Sequence, residues 1–117
     1  MQAELINTMT EQYPECLIAA YADLSTRVSL LTAGPVEVPR EALDELCAEA
    51  AITLGSVDVP TIGADPCHVA IKMVDHAVFI YMRTAEDPND AYLFMCRPEV
   101  DLDGFVKTAQ AGLATAG

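Results

Sequence analysis

The chain has 117 residues, 52% of them apolar and 21% charged, with eighteen acids against six bases for a net charge of −12. That length fits one domain, 1–117, which hides roughly 65% of its extended surface on folding and can hold together without metal or disulfide staples. The charge repels phosphate backbones and anionic lipid surfaces, so neither nucleic acid nor membrane insertion is expected.

Met1 to Gln12 lacks a basic start followed by an apolar run, and no stretch approaches the roughly 20 apolar residues that span a bilayer. The chain therefore reads as cytoplasmic. In a reducing compartment Cys16, Cys47, Cys67 and Cys96, far apart and without a CxxC pair, read as free thiols acting as small buried hydrophobes.

In the first segment, AELINTMTEQ, the apolar spacing Leu5, Ile6, Met9 predicts a short amphipathic helix, ended by Tyr13-Pro14-Glu15. CLIAAYAD (16–23) and RVSLLTA (27–33) follow as a hairpin about Leu24-Ser25-Thr26. Their apolar runs suggest strands covered on both faces.

Gly34-Pro35 breaks the second strand, and Pro39 suits the first turn of a helix that runs to Leu54. Leu43, Leu46, Cys47, Ala50 and Leu54 form its core stripe. Glu41, Asp44 and Glu45 complement its N-terminal dipole, and Gly55 is a natural C′ residue. A second line, Asp44, Ala48, Ala51 and Gly55, is small for an exposed face and admits close approach of another helix between subunits, or is an ordinary alanine surface. GSVDVPTIGADP (55–66) is a connector that Val57, Val59 and Ile62 can pin to the body.

CHVAIKMVDHAVFIYM (67–82) folds into a hairpin about Asp75-His76 that pairs Met73 with Val78, Ile71 with Ile80 and Val69 with Met82. One face is then wholly aliphatic and builds core. The other collects His68, Ala70, Lys72, Phe79, Tyr81 and Arg83. After the acidic loop TAEDPND comes a further strand, AYLFMCR (91–97). DLDGFVKTAQAGLATA then predicts a last helix with Leu102, Phe105, Val106, Ala109 and Leu113 at helical spacing and Asp101 or Asp103 as N-cap. The order helix, two strands, helix, three strands, helix, with short strand connections, gives an α+β domain on a five-stranded antiparallel sheet.

No convergent chemistry emerges. Cys67 and His68 are strand neighbours that point to opposite faces, and His76 lies roughly 20 Å from His68, so no zinc set assembles. Asp75 beside His76 is ordinary turn chemistry, and neither a GxSxG elbow nor a glycine-rich phosphate loop is present. Glu86, Asp87 and Asp90 lack calcium-loop spacing. The chain is expected to be no enzyme and to need no cofactor.

With this element order, the chain resembles the roadblock/dynein light chain family, including bacterial members that work beside small Ras-like GTPases. The likeness runs through the CLIAAYADLSTRVSLLTA hairpin, the EALDELCAEAAITLG helix, and CHVAIKM, AVFIYMR and AYLFMCR before the last helix. Two departures are Leu24-Ser25-Thr26, where members often place a glycine, and VDLDGF in place of an asparagine-containing lead. The resemblance implies a profilin-like three-layer fold and a homodimer joined through the central helix and third strand, forming one continuous sheet. It would use Asp44, Ala48, Ala51 and Gly55 on the helix, with Val69 and Ile71 on the strand. It also implies a non-enzymatic regulator or scaffold, with a small GTPase or other protein as partner. A type III secretion chaperone, binding an extended effector segment, and a profilin- or PAS-like ligand sensor are the alternatives.

Overall fold

The computed structural model describes residues 2–26, 28–54, 69–83 and 89–116. Its elements are α1 (Gln2–Gln12), β1 (Cys16–Asp23), β2 (Val28–Ala33), α2 (Arg40–Leu54), β3 (Val69–Val74), β4 (Ala77–Arg83), β5 (Asp90–Cys96) and α3 (Leu102–Ala116). The fold class is the α+β arrangement expected from the sequence, with all five strands in one antiparallel sheet of order β2-β1-β5-β4-β3.

Both faces of the sheet are covered. Leu5, Ile6 and Met9 of α1 and Phe105 and Ala109 of α3 pack on one face against Val78, Ile80, Met82, Tyr92 and Phe94. On the other, Cys47, Ala50 and Leu54 of α2 pack against Ala20, Ala22, Tyr81, Ala91 and Leu93. The expected α2 stripe is buried at Leu43, Cys47, Ala50 and Leu54, with Leu46 half-buried at its margin.

The first hairpin turn needs no glycine because Asp23 shapes it. Its carboxylate accepts from the Ser25 amide at 2.9 Å and the Ser25 hydroxyl at 2.7 Å, bonds that hold the Asp23 pKa below its usual value. At the last helix, Asp101 caps: its Oδ1 accepts from the Gly104 amide at 3.3 Å and its carbonyl from the Phe105 amide at 2.8 Å. Tyr13 joins α1 to α3, its hydroxyl 3.0 Å from the Thr108 hydroxyl and its ring edge-on to Phe105 at 5.0 Å.

Three expectations need correction. β2 is an edge strand and is not covered on both faces: Leu30 is 54% exposed, and Leu31 and Thr32 are exposed as well. The aliphatic face of the β3–β4 hairpin builds core only on β4, where Val78, Ile80 and Met82 are buried while Ile71 and Met73 stand in solvent. Pro39 precedes the first turn of α2, its carbonyl accepting from the Ala42 and Leu43 amides at 3.0 and 3.1 Å. The connector residues Val57, Val59 and Ile62, the C′ residue Gly55, and the Leu113 side chain lie outside the described residues.

Candidate interaction surface

The hairpin register is the one the aliphatic pattern demanded: Val69 opposes Met82, Ile71 opposes Ile80 and Met73 opposes Val78. Because β3 closes the sheet, its outer row of backbone groups faces away from every described strand. Ile71 is 43% exposed and Met73 67%, and Val74 adds to the same edge. Above the other face, Ile52 of α2 is 75% exposed, the largest exposure among the described large apolar residues.

Glu49, one turn before Ile52, ties α2 to this edge through an ion pair with Lys72 of β3. The Lys72 ammonium also sits 5.9 Å from the centre of the Phe79 ring, which stacks on Tyr81 at 6.4 Å. Beneath Glu49 the Tyr81 hydroxyl is buried without a hydrogen-bond partner among the described residues. Burial first, and the Glu49 charge second, push its pKa up to about 12.

The residues singled out in the sequence fall into three groups. Asp44 and Ile71 are exposed, with Asp44 in an i,i+4 pair with Arg40 at 3.8 Å. Ala48, Ala51 and Val69 are half-buried: Ala51 leans on the core beneath α2, and Val69 on the core beneath α1 and α3. Gly55 lies outside the described residues. Glu49 lies about 160° around the helix from Ala51, so the flank of α2 that reaches β3 carries Glu49 and Ile52. Sequence reasoning missed Ile52. The signal was a β-branched apolar residue about 180° from the Leu43–Leu54 stripe, where a solvent-facing side chain should be polar.

The other candidate chemistries stay apart. His76 is exposed in the hairpin turn, while Cys67, His68, Glu86 and Asp87 lie outside the described residues. Asp90 accepts from the Tyr21 hydroxyl at 2.9 Å. Among the described residues no group of three or more His, Cys, Asp or Glu side chains could hold a metal ion, and no helix is long and apolar enough to cross a membrane. A groove of about 300 Å³ lies between β2 and the start of α2, lined mainly by Ile18, Ala33, Val36, Val38 and Leu43, with Thr32 and Glu37 at its polar side.

A three-layer molecule with a five-stranded antiparallel sheet, one helix crossing one face and two on the other, has the roadblock fold. Solved structures share it. A roadblock/LC7 domain from Streptomyces avermitilis superposes with a TM-score of 0.75 at 10% identity, over 96% of this chain and 91% of that one. MglC from Myxococcus xanthus gives 0.66 at 10%, over 97% and 93%, and MglB in a tetrameric arrangement gives 0.73 at 13%, over 98% and 83%. No family model matches the sequence, and no curated protein does. The likeness is one of fold.

Proposed function

We propose that this chain is a non-enzymatic homodimeric regulator or scaffold, whose two copies join along β3 and the adjoining flank of α2. The joined sheets then present one composite surface to a protein partner of the small Ras-like GTPase class. The observation that carries the dimer is the apolar strip of Ile71, Met73, Val74 and Ile52 around a strand edge that pairs with no other strand among the described residues. An exposed apolar edge of this kind is a ready template for pairing with another chain. The roadblock fold supports the partner class. Ile71 lies at the centre of the proposed interface with Ile52 and Met73, while Asp44, Ala48, Ala51 and Val69 form its margins; Gly55 is assigned to it from the sequence alone.

The partner is tested by affinity capture on immobilised chain from its native lysate, run in parallel with GDP and with a non-hydrolysable GTP analogue. A Ras-like GTPase retained in one nucleotide state and lost with an Ile71→Arg variant supports the reading. Retention of an unfolded secretion substrate, or of no GTPase in either arm, contradicts it.

A further inference from the structure

Cys16 and Cys96 are direct partners at the end of the ladder between the inner strands β1 and β5, beside a register shift between Cys16 and Ile18. Next to them the Arg97 amide donates to the Glu15 carbonyl at 2.9 Å. That bond runs between the residues flanking the pair, the pattern beside a non-hydrogen-bonded pair, the closer kind, whose α-carbons lie about 4.5 Å apart in a regular ladder. Disulfides span α-carbon separations of about 4.4–6.8 Å, a range that includes that regular spacing. Both side chains are fully buried in the same core, beneath α1 and α3. The Cys16 thiol donates to the Ile18 carbonyl at 3.5 Å, and the neighbouring Cys16 thiol, with burial, raises the Cys96 pKa above its ordinary value.

We infer that Cys16 and Cys96 form an oxidisable dithiol which hydrogen peroxide converts to a cross-strand disulfide, stapling β1 to β5. One thiolate attacks the peroxide oxygen, the O–O bond breaks, and water leaves, giving a sulfenic acid. The second sulfur displaces the sulfenic oxygen as another water, and the S–S bond forms. Two thiols lose two hydrogens and two electrons, and the peroxide is reduced to two waters. The resting state is the dithiol, because burial and the retained proton make the pair slow to react. Opening of α1, which covers Cys16, admits the oxidant. Cys47, buried on the opposite face of the sheet, has no such partner among the described cysteines.

The staple would link positions 16 and 96 and constrain most of the chain when unfolded, which stabilises the oxidised form. To test it, native protein is treated with hydrogen peroxide, quenched by alkylation, digested and mapped, with a melting curve before and after. The expected result is a Cys16–Cys96 linked peptide, a mass lower by two hydrogens, and a midpoint raised by at least about 5 °C and restored by dithiothreitol. A Cys47→Ala/Cys67→Ala chain should behave the same way, and a Cys96→Ala chain should gain no midpoint. Thiols that stay fully alkylatable after unfolding, links through Cys47 or Cys67, or sulfinic acids at Cys16 and Cys96 would each overturn the inference. The peptide identification stands on the parent chain even if a variant fails to fold.

Discussion

The Arg83 guanidinium, at the end of β4, donates through Nη2 to the Leu54 carbonyl at 3.0 Å, so a strand residue closes the last turn of the helix that crosses the sheet. Arg83 is buried, and its charge complements the negative end of the α2 dipole. The flank carrying Glu49 and Ile52 is positioned by this contact. Arg83→Met, which keeps much of the volume, should cost about 1.5–3 kcal/mol in urea unfolding, the range for a hydrogen bond to a charged group. A variant as stable as the parent would show that this contact does not hold the helix end.

Gly34 has φ of 118°, and a methyl group there would strike the Leu17 backbone carbonyl. The glycine lets the chain turn off the end of β2 while lying against β1. Gly34→Ala should therefore lose more than about 1 kcal/mol, read as a lower thermal midpoint. An unchanged midpoint would mean the turn can rearrange freely.

The buried Tyr81 hydroxyl makes the opposite forecast. Removing an unpartnered buried polar group is neutral or stabilising, so Tyr81→Phe should match or exceed the parent at pH 7. The folded-state pKa, about 12, lies above the ordinary tyrosine value of 10.0. The neutral phenol thus contributes stability that is complete below pH 10 and is lost as pH rises through 12. Melting curves across that window should fall less steeply for Tyr81→Phe, with the raised pKa of Tyr92 common to both proteins. A loss above about 1 kcal/mol at pH 7 would show that the hydroxyl is satisfied.

Much of the fold could be read from residue pattern. Leu43, Cys47, Ala50 and Leu54 announce the buried face of α2, and the aliphatic alternation from Val69 to Met82 sets a register that one residue of slip would destroy. Strand order was not legible, because pairing of β1 with β5 joins segments some seventy residues apart through no local signal. For the same reason β2 read as a covered strand: its apolar run looks like that of β1, and only the sheet order makes it an edge. The interaction surface was half legible. The small-residue line drew attention to Ala48 and Ala51, whereas the exposed strip follows from which side of α2 Glu49 uses to reach Lys72.

Charge should oppose the proposed self-association. Each copy carries −12, so a dimer carries −24, twice that value, and added salt screens the repulsion between copies. The dimer dissociation constant should tighten as sodium chloride rises from about 20 to 300 mM, across which the Debye length shrinks severalfold. Weaker association at higher salt would point to an interface held by ion pairs instead of the apolar strip.

Sedimentation equilibrium on the parent chain and on Ile71→Arg, with circular dichroism to confirm that both fold, bears most directly on the proposed dimer. The parent should weigh twice its 12.5 kDa monomer at tens of micromolar, and Ile71→Arg should sediment as a folded monomer with at least about tenfold weaker association. A monomeric parent, or a variant that dimerises undiminished, would contradict pairing along β3.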